Sequence, residues 1–545
     1  MDYIFGTLAT DELKLIQHRA SRHGIQHGHR IEPPDPMPGD PVMLILEIGP
    51  DINAEHVVCY FTLDGTEPLG ERGVASNGAT VRLEQVETTW DTMAWGYRTI
   101  WQGILPAQAE GTLVRYRIGA WADDGTPEIF ADSPDVKATI ERATSAFFKN
   151  QPLPTIFVQS DVAGQTFAYS VDRLSPPRWA REAVIYHIFV DRFYPGEDRQ
   201  WLSPDDLKGF YGGTLWGVRD KLDYIAELGA TCIWLSPTFI SPTYHGYDIA
   251  DYFHVEPRLG GDDALRALVA AAHARGLRIL LDLACNHISN QNPVFQTARR
   301  VPASPQRLWF TFDDSKIGYR TYFGVPSMPE VNIDHPGARA WLIDVARYWL
   351  REFDIDGFRL DHANGPGPGF WSEFWTACKE VKPDCFCFGE VIESPDILRA
   401  YAGRMDGILD FIASETLRKT YGYQTMNAVS LERFMTRQTG FFDPNLLLPT
   451  FLDNHDMDRF LFIAGNDKEA LMRAAAAQMQ LPGPPIIYYG TEVGLSQRLS
   501  KADGDGDKQA RLPMLWGEDQ DIELLDYYKG LIRQRRSDHT RSVAD

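Results

Sequence analysis

The sequence has no long apolar run, and no basic segment followed by one at its start. It opens Met1-Asp2-Tyr3-Ile4-Phe5-Gly6, so no secretory leader is expected, and no stretch is long enough to span a bilayer. Positive charge is in deficit: 53 Lys and Arg against 75 Asp and Glu give a formal charge of −22. Such a surface repels phosphate backbones and anionic lipid, which excludes nucleic acid and membrane as partners. Cysteine is sparse, with six in 545 residues. Cys59, Cys232, Cys285, Cys378, Cys385 and Cys387 fall inside or beside strand and helix patterns without the spacing of a disulfide scaffold. That predicts reduced, buried thiols in a cytoplasmic protein. Cys385 and Cys387 share one strand face, but no second ligand pair at zinc-like spacing accompanies them.

Apolar residues make up 44% of the chain and aromatics 12%, enough for a large core spread over two or three domains. Residues 1 to about 40 are polar and end in the proline cluster Pro33-Pro34-Asp35-Pro36-Met37-Pro38, an irregular lead-in. Short alternating runs follow, such as Val42–Leu46, His56–Leu63 and Leu113–Ala120, punctuated by Asp64-Gly65 and Asp124-Gly125. Evenly spaced strands without helices predict an antiparallel β-sandwich over 1–145. Trp90, Trp95, Tyr97 and Trp101 cluster there. Filling the sandwich core or its seam is the plainer reading, with a sugar-stacking platform or a subunit contact as alternatives. Residues 146–180 read as a linker.

From 181 to 536 the rhythm becomes strand, then helix. Ala183–Val190, Thr231–Leu235, Ile279–Leu283, Gly357–Asp361, Cys385–Glu390, Asp406–Phe411, Leu448–Asp456 and Pro485–Gly490 read as eight strands, with amphipathic helices such as Asp262–Arg275 between them. Eight alternations in about 350 residues predict an α/β fold, a closed (β/α)8 barrel of ordinary size. A small inserted domain is expected at about 288–335 and a short tail at 537–545. An open doubly wound sheet is the runner-up, but no glycine-rich phosphate loop follows the first strand.

Four of these strands end in polar clusters: Asp282 to His287, Arg359-Leu360-Asp361, Glu390, and Asp453-Asn454-His455-Asp456. Parallel strands deliver ligand groups at their carboxyl ends on one rim. Asp361, Glu390 and Asp456 are therefore placed in one pocket, with His287 and His455 beside them. Such a set suits glycosidic cleavage by a carboxylate nucleophile and a protonated acid. Crowding raises one carboxyl pKa and keeps the acid protonated. Arg359, one same-face step from Asp361, is expected to hold the nucleophile ionised. Any one of these residues alone is as often structural; four clusters at successive strand ends are not.

Residues about 180–535 resemble the α-amylase family of retaining α-glucan enzymes. Asp282-Leu283-Ala284-Cys285-Asn286-His287, Gly357–Asp361, Phe388-Gly389-Glu390-Val391 and Phe451–Asp456 are similar to its four motifs, in order. The resemblance implies Asp361 as nucleophile, Glu390 as general acid/base and Asp456 as transition-state stabiliser. It also implies that Arg359, His287 and His455 hold the sugar, with Tyr247 of His245-Gly246-Tyr247-Asp248 stacking on it. The leading β-rich domain and Met328-Pro329-Glu330-Val331-Asn332 resemble the cyclomaltodextrinase, neopullulanase and maltogenic amylase group. Members of that group often dimerise through the leading domain and act on short or cyclic glucans, so a homodimer is compatible with this chain.

Departures stand where the leaving sugar would sit. Ile392 replaces the group's tryptophan, and His362-Ala363-Asn364-Gly365 replaces valine-alanine-asparagine-glutamate. The Gly365–Gly369 loop is expected to reshape that rim. The family's β-sandwich after the barrel is expected to be missing or removed. No cofactor is required by this chemistry. Calcium, common in the family, has only a poor loop match at Asp191–Asp198 and an acidic turn at Asp503–Asp507. The expected activity is retaining hydrolysis of α-1,4-glucosidic bonds in cyclodextrins, maltooligosaccharides or pullulan, with some transfer to sugar acceptors. An α-glucosidase, a glucan transferase and, more distantly, a non-catalytic glycan-binding barrel stay open.

Overall fold

The computed structural model describes residues 10–148, 151–152, 164–501, 503 and 509–542. Its first part is a β-sandwich. Strand Val42–Ile48 buries every second residue, as the alternation of its sequence dictates. It pairs antiparallel with Gly96–Leu105, which pairs in turn with Ala79–Asp91. The near end of Ala79–Asp91 pairs with His56–Thr62, and that strand with Thr112–Trp121. The long strand Ala79–Asp91 thus passes from one sheet into the other, with its register shifting between Gln85 and Glu87, as a bulge permits. Leu44, Leu46, Val57, Phe61, Trp101, Tyr116 and Ile118 fill the space between.

Three sequence expectations change here. Residues 11–20 are a helix, capped by Thr10, whose Oγ1 accepts the Leu13 N–H at 3.2 Å. A second helix, 134–148, packs on it, so the sandwich is not free of helices. Within the passage read as a linker, Phe167–Val171 is a strand paired along its length with Thr112–Trp121. Apolar Phe167-Ala168-Tyr169 was the local signal for it. Of the aromatic cluster, only Trp101 is core. Trp90, Trp95 and Tyr97 are exposed and meet edge to face, with centroids 5.5 and 5.1 Å from Trp90.

The second part is the eight-stranded parallel barrel: β1 (Ile185–Ile188), β2 (Cys232–Leu235), β3 (Arg278–Ala284), β4 (Gly357–Asp361), β5 (Phe386–Gly389), β6 (Gly407–Ile408), β7 (Thr450–Phe451) and β8 (Pro485–Tyr488). The order is β6-β5-β4-β3-β2-β1-β8-β7. Closure between β6 and the approach to β7 runs through Ile408 N–H to the Leu447 carbonyl, 3.0 Å, and Asp410 N–H to Pro449, 2.9 Å. Parity along the strands separates two cores. Ile185, Trp234, Leu280, Phe386, Phe388, Phe451 and Ile486 pack inside the barrel. Tyr186, Ile233, Leu281, Phe358, Leu360 and Cys387 pack outward against the helices. All six cysteines are buried and none forms a disulfide.

The 288–335 excursion carries a helix, Pro293–Arg300, and a 3-10 turn, Tyr322–Gly324. Helix Gly367–Val381, which follows β4, lies against strand Phe167–Val171 of the sandwich. Ser170 and Thr376 hydroxyls meet across that seam at 3.1 Å. The Gly365–Gly369 segment is therefore the start of a helix wedged at the domain seam. A Cβ on Gly365 would stand 2.0 Å from Asn286 Oδ1.

Candidate active site

Asp282 and Arg359 are register partners on β3 and β4, and Ala284 pairs with Asp361. The parity that turns Leu280 inward turns Asp282, Arg359 and Asp361 inward too. Arg359 is fully buried and serves three carboxylates. Its Nη1 donates to Asp282 at 2.8 and 3.0 Å and to Asp361 at 2.8 Å, and its Nη2 makes an ion pair with Glu390 at 2.9 Å. Glu390 follows β5 directly, its N–H bonded to the Leu360 carbonyl at 2.8 Å. Its Oε2 accepts the His362 N–H at 3.1 Å.

Asp456 comes from beyond β7. His455 Nε2 lies 2.9 Å from one of its oxygens and Arg511 Nη2 donates to the other at 2.7 Å. Arg511 also donates to the His455 carbonyl, 2.8 Å, and to the Tyr244 hydroxyl, 3.0 Å. The Tyr247 hydroxyl donates to Asp282 at 3.0 Å and stands 2.7 Å from His455 Nε2, with the two rings stacked 5.4 Å apart. His287 stacks on Tyr322 at 4.4 Å. Tyr322 meets His362 edge to face at 4.9 Å. Both Phe323 and His362 hold left-handed backbone, φ 45° and 43°. Histidine tolerates that region, but bulky Phe323 carries strain there of the kind that gathers at ligand sites.

The seven residues singled out from sequence, Asp361, Glu390, Asp456, Tyr247, His287, Arg359 and His455, thus stand among one connected set of contacts. Their electrostatics follow from a dry, crowded site. Burial, against the pull of Arg359 and with repulsion from neighbouring carboxylates, pushes Asp361 and Glu390 up toward neutrality. Burial likewise lifts Asp282 to about 6. Asp456 goes the other way: burial would raise it, but His455 and Arg511 together hold it well below the usual carboxylate range. Burial lowers His287 and His455 to about 4, leaving both neutral.

Arg359 does not single out Asp361 as expected from the sequence. One guanidinium spread over three buried acids cannot offset the desolvation of all of them. Sequence reasoning gave Asp282 a place in the first motif but no role, and passed over Arg511 and Tyr322. Asp282 was readable, as a carboxylate set in the apolar run Ile279–Leu283. Arg511 lies in an irregular segment with no periodicity to mark it. Of the two loops read for calcium, the first is described in full. The Asp191 carboxylate takes N–H bonds from Tyr211 and Gly212 at 3.0–3.1 Å and one from Arg192 Nε at 2.9 Å. Asp505 and Asp507 lie outside the described residues.

The model of the α-amylase catalytic domain matches residues 187–522. The chain belongs to the α-amylase family. Among family members, it is 41% identical to "Alpha-amylase 2" of Dictyoglomus thermophilum, over 68% of this chain and 65% of that protein. It is 34% identical to "Intracellular maltogenic amylase" of Bacillus subtilis, over 69% and 65%. The chain thus spans about 65% of the length of these relatives. A solved cyclomaltodextrinase superposes with a TM-score of 0.63 at 25% identity, covering 94% of this chain and 84% of that one. That overlap takes in the leading sandwich as well as the α-amylase barrel.

Proposed function

We propose that the chain is a retaining glycoside hydrolase acting on α-1,4-glucosidic bonds in short or cyclic α-glucans, with some transfer to sugar acceptors. The observation that carries this reading is the pair Asp361 and Glu390 bonded to the two ends of one buried guanidinium. Retention needs two carboxyls flanking one bond at close range, and both are held on the terminal nitrogens of one guanidinium. Asp361 attacks the anomeric carbon, and Glu390 gives its proton to the leaving oxygen. The covalent glucosyl ester is then opened by water, which Glu390 deprotonates. The upward pressure on this pair supports an acid still protonated near neutrality. Asp456, kept ionised by Arg511 and its contact with His455, faces the positive charge that develops on the sugar. Neutral His287 and His455 can donate to or accept from sugar hydroxyls, and Tyr247 offers a ring face.

The cluster of Tyr322, Phe323 and His362 rings, joined to Glu390 through the His362 N–H, supports aromatic contact with an acceptor sugar beyond the cleaved bond. Similarity to proteins named for maltogenic amylase and cyclomaltodextrinase supports the substrate class, and the name of one supports a cytoplasmic setting. The carboxylates supply both nucleophile and proton, so the reading calls for no cofactor; activity should survive exhaustive chelation. The exposed Trp90, Trp95 and Tyr97 are compatible with a homodimer, which light scattering would detect. The deciding assay offers β-cyclodextrin, pullulan and maltotriose and follows the anomer released by NMR. The α-anomer is expected first. Folded protein releasing no reducing sugar from any of them would overturn the reading.

A further inference from the structure

The leading domain reaches the rim of the active site through a pair of helices. Helix Asp11–Ala20 packs on helix Pro134–Phe148, and each touches a different loop at the carboxyl end of the barrel. Gln17 donates from its side-chain amide to Glu393 at 2.7 Å, three residues beyond Glu390 on the loop that leaves β5. Glu141 takes Arg320 Nη2 at 2.7 Å, and Arg320 turns its Nε to Glu330 at 2.7 Å. The Glu330 backbone in turn pairs with that of His287. Helix Pro134–Phe148 also lies against the turn Tyr322–Gly324, whose tyrosine stacks on His287.

These two loops leave β3 and β5, the strands on either side of β4. The helix pair therefore straddles the end of β4, where His362 follows Asp361. This is the side of the leaving sugar. Glu390 must face the leaving oxygen to protonate it, and it accepts the His362 N–H. A glucan that continues beyond the cleaved bond runs toward the loops that the helices tie together. As fasteners for the fold these ties are poor. Arg320 and Glu141 keep 45% and 42% of their side chains in solvent, and pairs so exposed add little to stability. Stability alone does not explain why both ties fall on rim loops.

We infer that helices Asp11–Ala20 and Pro134–Phe148 wall the leaving-sugar side of the cleft, with Gln17 and Glu141 as the positioning residues that hold the wall to the rim. The wall admits a short leaving group and resists a chain that runs on past it. It is supplied by the chain itself and needs no partner subunit. The inference rests on the proposed cleavage of α-glucans in this cleft.

The test compares kcat/KM, per glucosidic bond, on maltotriose and on long linear amylose. The wild-type chain should favour maltotriose at least about tenfold, and dilution of the protein should leave that ratio unchanged. Gln17→Glu combined with Glu141→Arg sets like charges against Glu393 and Arg320. Both substrates are neutral, so the new charges neither attract nor repel them. The double variant should gain about tenfold in kcat/KM on amylose, chiefly through KM, and hold its maltotriose value within about twofold. Gln17→Lys, which keeps an attractive partner for Glu393, should keep the wild-type ratio. Hydrogen exchange should quicken at 11–20 and 320–324 in the double variant and not in Gln17→Lys. An unchanged ratio in the double variant, with or without faster exchange, would overturn the inference. So would a wild-type chain that cuts amylose as readily as maltotriose, or a preference that collapses on dilution. Failure of the folded wild-type chain to cut either substrate would instead sink the catalytic reading.

Discussion

Asp361 and Glu390 sit where burial and mutual repulsion resist ionisation, and only one shared cation opposes them. Asp361→Asn removes the attacking oxygen and should cut kcat at least about 10⁴-fold, as loss of a nucleophile does elsewhere. Glu390→Gln should cost about 10²–10⁴-fold on cyclodextrin. It should cost far less on α-glucosyl fluoride, whose leaving group needs no proton. Equal losses on both substrates would remove Glu390 from the acid's role. The same shifts set a pH dependence of stability. Asp282, Asp361 and Glu390 bind protons more tightly folded than unfolded. Their contribution is therefore complete below the unfolded carboxyl values near 4 and is lost as pH climbs through about 6–7. Thermal unfolding of the ligand-free protein should fall in midpoint from pH 5 to pH 8. Asp361→Asn should flatten that fall. A midpoint that rises over this range would contradict the assignment.

At the scale of the element, the site depends on how closely β4 and β5 approach. Gly357 opens β4 at φ 141°, and a Cβ there would stand 1.9 Å from the Phe386 carbonyl oxygen. That neighbour is backbone in a parallel pair, so it cannot swing aside. Gly357→Ala should cost about 3 kcal/mol or more and, by prising the strands apart, separate Glu390 from Arg359. Denaturant unfolding and kcat report the two effects; a neutral substitution would mean that the strands can part freely. The strand-to-helix rhythm made this barrel readable, and apolar runs ending in polar clusters marked four of its strands. β7, only two residues, was readable through its polar end, and β6, equally short, through its place in the rhythm. What stayed hidden depends on distant partners. Phe167–Val171 became a strand by pairing with residues some fifty positions earlier, and Arg511 joined the site from a segment without periodicity. Trp90, Trp95 and Tyr97 share the composition of core residues, and only the fold shows which side of the hairpin faces water.

Across the whole molecule, the sandwich and barrel are joined by a ring of opposite charges, Arg115 and Arg339 against Glu67 and Glu373. Both arginines are nearly buried, while Glu67 keeps 39% of its side chain in solvent. Burial, with Arg339 alongside, lowers the Arg115 pKa despite its acid partners, so this cation is already poorly compensated. Removing Glu373 leaves two buried guanidinium groups to share the half-exposed Glu67. By the measure of other buried pairs, Glu373→Gln should cost up to about 3–5 kcal/mol. Arg115→Met alone relieves one desolvated cation while orphaning half of Glu373. The pair Arg115→Met with Glu373→Gln should then be less unstable than the sum of its parts, with a coupling of about 0.5–3 kcal/mol. Calorimetric unfolding carries the sharper signature. Intact, the seam lets helix Gly367–Val381 and strand Phe167–Val171 unfold together, and one transition is expected. With Glu373→Gln, the sandwich should melt ahead of the barrel and split the peak in two. A single, unshifted transition in that variant would show that the apolar contacts of the seam hold the two parts together without the charges.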